Sequence, residues 1–234
     1  MVRINKWFSE MGICSKKQAD LLISAGRVTV NNLPAKLGMT IAEADTVLLD
    51  HQPVGDRPTP VVILYHKPVG VICTHRKDIT KSIENVLKLD QRVFAIGRLD
   101  KDSEGLLILT NQGELVNKIM RSENKQKKVY KVWVDKDVTQ NFVANMANGV
   151  EILGSKTLPC EVEKLSDDCF QITLVQGLNR QIRRMCKALG YKVLRLQRIQ
   201  IMQFNLDGLE EGQFRYLDST ELQALYKNLE KSIN

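Results

Sequence analysis

The spacing of apolar residues changes period several times along this chain, and each change marks an expected element. Ile4, Trp7, Phe8 and Met11 recur at helical spacing, and Gly12 supplies a stop. Ser15 is placed to cap a second helix, with Gln18 three residues later completing a capping box. Leu21, Leu22 and Ile23 carry that helix's apolar content until Gly26. "RVTVNN" alternates like a strand and runs into an Asn31-Asn32 turn, and "DTVLLD" from Asp45 to Asp50 reads as another strand. Leu49 to Pro60 holds three of the six prolines and little apolar content, as a linker does.

Beyond the linker, "VVILYHKPVGVICT" reads as a buried strand, a Lys-Pro turn and a second strand. "RVFAIG" and "LLILT" predict further strands, and "GELVNKIMRS" has helical spacing in Leu115, Ile119 and Met120. "KKVYKVWV" alternates, with Val129 and Tyr130 competing for the inner face. "TQNFVANMANGV" predicts a helix ending at Gly149, "CFQITLVQG" a strand, and "NRQIRRMCKALG" a helix ending at Gly190. "KVLRLQRIQIMQF" is strand-rich, and Asp218 with Glu221 caps a C-terminal helix. Strands outnumber helices and arrive in irregular order, which predicts an α+β fold rather than a doubly wound parallel sheet. The expected division is a small α/β domain at 1–48, a linker at 49–60 and a main domain at 61–234.

Composition narrows the function classes. With 43% hydrophobic residues in 234, wholesale disorder is excluded. The longest apolar runs, such as "VVILY", are far too short to span a bilayer, and the charged "MVRINKWFSE" does not resemble a signal peptide. A cytoplasmic protein without membrane contact is expected. The five cysteines are scattered with no Cys-x-x-Cys pair, and His51, His66 and His75 are not spaced for zinc. No metal site is expected. The net charge of +7 leaves nucleic-acid binding and a merely solvated basic surface about equally open. Its placement adds something, because from Met1 to Ile41 the bases Arg3, Lys6, Lys16, Lys17, Arg27 and Lys36 face only Glu10 and Asp20. Lys16 and Lys17 occupy a helix's first turn, where the macrodipole disfavours cations and external phosphates would favour them. A solvated helix start explains the pair equally well.

One segment carries candidate chemistry. In "AIGRLDKDSEGLLILTNQGEL", Asp100, Asp102 and Glu104 alternate before Gly105, as the acids of an EF-hand loop do. That loop requires a bidentate Glu at its twelfth position, which here is Asn111, and the segment before Asp100 is strand-like rather than helical. A polar turn explains Asp102, Ser103 and Gly105 but gives no reason for "GRLD". The remaining reading makes Asp100 a reactive carboxylate with Arg98 near a substrate phosphate. Such a carboxylate must stay ionised in a partly desolvated pocket, which requires a cation. Arg180, Arg183, Arg184 and Lys187 form one basic helix face opposite Ile182, Cys186 and Leu189, although such a stripe is usually just solvated.

Two families share these motifs. "RINKWFSEMGICSKKQADLLISAGRVTVNN" resembles the S4-type RNA-binding domain. "GRLDKDSEGLLILTNQGEL", together with "HKPVG", "KKVYKV" and "QGLNRQIRRMC" in that order, resembles the pseudouridine synthases of the branch containing RsuA, RluB, RluE and RluF. The pairing of an S4-type domain with "VQGLNRQIRRMC" is most similar to the RluF subgroup, which acts on large-subunit (23S) ribosomal RNA. His66 stands where the family usually has Asn. The resemblance implies a mainly antiparallel or mixed central sheet flanked by helices, and isomerisation of a flipped-out uridine without any cofactor. By position it makes Asp100 the catalytic aspartate, Tyr130 the residue against the target base and Arg183 the partner of the aspartate. Arg3, Lys6, Lys16, Lys17, Arg27, Lys67, Arg98, Arg180 and Arg184 are the candidate RNA contacts. The expected partner of a monomeric protein is then a ribosomal RNA stem-loop or an assembling large subunit, with a transfer RNA as a further candidate. The rival is a non-catalytic RNA-binding protein on the same fold, against which the intact set of Asp100, Tyr130 and Arg183 argues.

Overall fold

The computed structural model of the chain describes residues 1–74, 76, 78–120 and 126–231. They fall into two units: Met1–Val61 with Leu89–Phe94 and Asn111–Gly113, and the remaining described residues. His75, weighed for zinc, and Arg121 and Ser122, the expected end of one helix, lie outside the described residues.

In the first unit the expected helices form at Ile4–Glu10 and Lys16–Ser24. The capping box is present, with Gln18 N donating to Ser15 Oγ at 3.2 Å and Ser15 N donating to Gln18 Oε1 at 3.1 Å. Ile4, Phe8, Ala19 and Ile23 bury against Val28, Val30, Ile41 and Val47. Leu21 departs from its expected inward role and is 63% exposed. Ala19 and Ile23, four apart, define the buried stripe, and residue 21 falls on the far side of the turn. A four-stranded sheet runs in the order Leu33–Pro34, Val28–Val30, Val47–Leu49, Gln52–Pro53. Its two hairpins turn through Asn31-Asn32 and Asp50-His51, all four with positive φ, as type I′ turns demand. The second hairpin carries Gln52 and Pro53, which composition assigned to the linker, into the sheet. Asn111 anchors this unit's later segments: it accepts from Val61 N at 3.0 Å and donates to Thr59 O and Gln91 Oε1, each at 2.8 Å.

The second unit is built on a nine-stranded mixed sheet. Its main path runs Glu161–Lys164, Cys169–Leu174, Lys128–Val134, Val193–Ile201, Glu104–Thr110, Val62–Lys67 and Phe214–Tyr216. Every residue of Glu104–Thr110 and of Val62–Lys67 is buried, which is why these stretches read as continuous apolar runs. All pairings along the path are antiparallel except one, in which Gln197 and Arg198 lie parallel to Glu104 and Gly105. Helices Gln140–Ala147 and Gln181–Ala188 bring Phe142, Met146, Ile182, Met185 and Cys186 onto Val132, Phe170, Ile172 and Leu196. Tyr130 packs at the margin of the same cluster, which settles its competition with Val129 for the inner face. Helices Gly113–Met120 and Ser219–Lys231 cover a second cluster containing Val62, Leu64, Leu106 and Ile108. The last helix starts as expected, with reciprocal bonds between Asp218 and Glu221 at 3.0 and 2.8 Å.

The expected second strand after the Lys-Pro turn does not form; only an isolated bridge joins Ile72 to Ser82. Ser82 instead caps a short helix, Ile83–Leu87, accepting from Asn85 N at 3.2 Å. The strands Glu161–Lys164 and Phe214–Tyr216 escape the sequence pattern because they are short, largely exposed sheet edges without a continuous apolar run. Among the described residues, no helix is long and apolar enough to cross a membrane.

The parallel pairing depends on Gly105. Its φ is +107°, and a Cβ built there would stand 2.2 Å from the carbonyl oxygen of Arg198. Gly105→Ala is therefore expected to destabilise the protein by about 3 kcal/mol or more, read as a lowered midpoint in urea. An unchanged midpoint would mean that the two strands do not close as described.

Candidate active site

The segment around Asp100 is held from four sides. It arrives along the strand Phe94–Ile96, turns at Gly97, buries Leu99 and leaves Arg98 exposed. A turn then brings Ser103 N within 3.1 Å of Asp100 O, and the chain departs along Glu104–Thr110.

The first support is Arg198, which is 1% exposed. Its Nε donates to Leu106 O at 2.8 Å and its Nη2 to Gly97 O at 2.9 Å, so one guanidinium fastens the arriving and departing ends of the segment. Hydrogen bonds from a charged donor contribute about 1.5–3 kcal/mol each. The second support is the Lys-Pro turn. Lys67 is fully buried, and its Nζ donates to Pro68 O at 2.8 Å and Val71 O at 2.9 Å. Burial pulls its pKa below the ordinary lysine value, against the opposing influence of Glu104 and Asp100. Gly70 N, at the end of that turn, donates to Lys101 O at 2.8 Å. His66, the departure from the family pattern, is buried with Nδ1 2.9 Å from Leu209 O.

The third and fourth supports come from the start of helix Gln181–Ala188. Arg180 caps that helix in the left-handed region, φ 50° and ψ 37°. Its Nη1 lies 3.4 Å from Asp100 Oδ2 and 3.6 Å from Asp102 Oδ2. Arg183 donates through Nη2 to Asp102 O at 2.7 Å and through Nη1 to Val193 O at 3.3 Å, while its buried Nε has no hydrogen-bond partner among the described residues. Burial first, and then the neighbouring Arg180, lower the pKa of Arg183 from the usual arginine value. The direct ion pair of Asp100 is thus with Arg180, whereas the sequence reading gave that part to Arg183. The reason is geometric: the left-handed cap puts Arg180 ahead of the helix, and Arg183, one turn in, meets the loop's backbone.

The sheet register adds Tyr130. Lys67 pairs with Gly105, Gly105 with Arg198, and Arg198 with Tyr130, so the four share one row across adjacent strands. Tyr130 is two strand spacings from Gly105, about 10 Å. Its ring is only partly buried, and its hydroxyl makes no hydrogen bond among the described residues.

Against this geometry, residues 61–188 match the family profile described as RNA pseudouridylate synthase, and residues 2–47 match the S4 domain. The chain belongs to the RNA pseudouridylate synthase family. The dual-specificity RNA pseudouridine synthase RluF of Escherichia coli K12 is 46% identical over 233 residues, spanning 99% of this chain and 80% of the relative. Ribosomal large subunit pseudouridine synthase B of Bacillus subtilis is 34% identical, over 96% of each chain. A crystal structure of a pseudouridylate synthase shares 27% identity at a TM-score of 0.67, covering 96% of this chain and 100% of that one. The synthase isomerises uridine in RNA, and its mixed sheet with an N-terminal S4 domain is the expected fold.

Other expected site residues fall variously. Arg98 is exposed, and Arg184 is turned back on Asn179, bonding its backbone oxygen at 2.9 Å and its side-chain oxygen at 3.1 Å. Lys67 must be withdrawn as an RNA contact, since a fully buried ammonium held by two carbonyls cannot reach a phosphate. In the first unit Lys16, Lys17 and Arg3 are exposed, Lys6 pairs with Glu10 at 3.3 Å, and Arg27 holds Asp50 with two nitrogens. Two residues of the synthase were missed: Arg198 and Glu104. Arg198 shares a strand face with buried Leu196, and that alternation was the available signal.

These contacts separate two arginines by experiment. Arg183→Met removes two bonds from a half-buried cation and is expected to lower stability by about 2 kcal/mol or more, measured by urea unfolding. Arg180→Met at the exposed carboxylate pair should leave stability within about 1 kcal/mol of wild type while strongly reducing pseudouridine formation. The reverse ranking in unfolding would contradict the assignment.

Proposed function

We propose that this synthase modifies large-subunit (23S) ribosomal RNA, with Asp100 as the group that carries the reaction. The observation that supports it best is the Asp100 carboxylate, still 39% exposed, fixed beside Arg180 on a loop braced at both ends. Both relatives described above bear on the substrate. One is named for the large ribosomal subunit, and the other's dual-specificity name favours a second RNA class, for which transfer RNA is the candidate.

The uridine leaves its stack to reach Asp100, because a paired base hides its glycosidic bond. The aspartate assists cleavage of the bond between uracil N1 and the ribose, the base turns within the pocket, and uracil C5 bonds to the ribose carbon in place of N1, giving up its proton while N1 takes one. Product and substrate have the same atoms, so no co-reactant is consumed, and each proposed step falls to the chain's own residues. Tyr130 offers a π-face to the extruded base, and the row it shares with Gly105 supports that placement. Arg180 steadies the carboxylate, while Arg183 and Arg198 hold the loop that carries it.

Residues 1–48 serve as an anchor for RNA phosphates, with Lys16 and Lys17 among its exposed cations, and residues 61–234 form the catalytic domain. The protein works as a monomer in the cytoplasm, on a ribosomal RNA stem-loop or an assembling subunit.

Asp100→Asn is expected to lower pseudouridine formation at least about 10³-fold while RNA affinity stays near wild type; retained turnover would sink the assignment. Replacing Lys16 and Lys17 together by Gln should weaken RNA binding. It should also flatten the plot of log affinity against log salt by roughly 0.7–0.9 per lost phosphate contact. An unchanged slope would show that these lysines do not touch RNA.

A further inference from the structure

Glu104, four residues after Asp100, is buried to 7% exposure of its side chain, yet it carries a carboxylate. Arg195 answers it, with Nε at 2.7 Å and Nη2 at 2.6 Å from Glu104 Oε1. The same guanidinium lies 4.6 Å from the ring centroid of Trp133, which pairs with Arg195 across adjacent strands. An ion pair that merely closed the end of the strand would explain Glu104. It would not require the arginine to lie on an indole while keeping 51% of its side chain exposed. Nη1 makes no hydrogen bond among the described residues.

The surroundings suit RNA. The turn from Asp100 to Ser103 keeps Glu104 within about 11 Å of Asp100, Cα to Cα. Glu104 begins a transverse row in which Gln197, Lys131 and Gln171 follow on successive strands. Trp133 and Lys131 lie on the strand face opposite Val132 and Val134, whose side chains fill the core. The result is a partly open polar face with a guanidinium whose orientation is fixed in advance. Planar guanidinium groups and aromatic rings are the surfaces on which unpaired bases stack.

We infer that the Arg195–Trp133 pair, on the strand face opposite Tyr130, is a second nucleotide subsite, on which an unpaired base of the bound RNA other than the target uridine stacks while the uridine occupies the Asp100 pocket. Glu104 is the positioning residue that holds the shelf in register with the catalytic loop. This rests on the proposed reaction at Asp100 and adds a reason for choosing among uridines: the RNA must also offer a second unpaired base to the opposite strand face.

The test uses the full-length protein and an RNA stem-loop transcribed from the ribosomal segment that it modifies. A parallel series replaces each unpaired nucleotide other than the modified uridine, one at a time, by an abasic residue. Arg195→Lys keeps the charge beside Glu104 but loses the planar face, and Trp133→Leu removes the surface beneath it. Each is expected to raise KM roughly tenfold with kcat nearly unchanged. With the RNA abasic at one of these positions, wild type and variants should have equal kcat/KM. A variant-to-wild-type ratio that stays constant across the whole abasic series would overturn the subsite and leave Arg195 as a partner of Glu104 alone. Absence of pseudouridine formation by the wild type on every ribosomal and transfer RNA would instead overturn the reaction itself, and this subsite with it.

Discussion

A single parallel contact governs the catalytic unit. Glu104–Thr110 and Val193–Ile201 can lie side by side only because residue 105 has no side chain where the backbone of Arg198 passes. Once that contact forms, Arg198 falls directly beside the ends of the Asp100 loop and bonds both. It also brings Tyr130, on the next strand, into the same row. Position in the chain would never suggest such a grouping, because Gly97, Leu106, Tyr130 and Arg198 are spread over a hundred residues of sequence. The buried arginine is tolerated because carbonyl oxygens meet it, and a loop fastened at both ends can present a carboxylate without closing over it.

The arginines near the loop divide their work by depth. Arg180, at an exposed helix cap, stands against the carboxylates of Asp100 and Asp102. Arg183, half-buried, holds main-chain oxygens, and Arg198, fully buried, holds the loop's ends. Arg195 remains on the open face with Trp133. Screening by water makes an exposed ion pair weak in stability and available to a substrate, while burial makes the same group a structural element.

How far the sequence anticipated this follows from what each feature depends on. The capping boxes at Ser15 and Asp218, the Asn31-Asn32 turn and the buried central strands rest on neighbours a few residues apart, and they formed as expected. The second strand after the Lys-Pro turn, the edge strands and the direct partner of Asp100 depend on contacts between distant segments, and spacing carried no trace of them. Lys67 illustrates the same limit: next to a proline in a basic protein it reads as a surface cation, and the turn that buries it is a tertiary feature. Among the acids of "DKDSEG", turn chemistry accounts for Asp102. Glu104, the last of the alternating acids, starts a strand and is paired with Arg195.

As proposed, one carboxylate on this loop converts specific uridines in large-subunit RNA. Comparing pseudouridine maps of ribosomal and transfer RNA from cells with and without the protein tests it most directly. A small set of positions, at least one of them in 23S RNA, is expected to lose pseudouridine in cells without the protein and to regain it when the wild-type protein is restored. Identical maps in the two cell lines would contradict it.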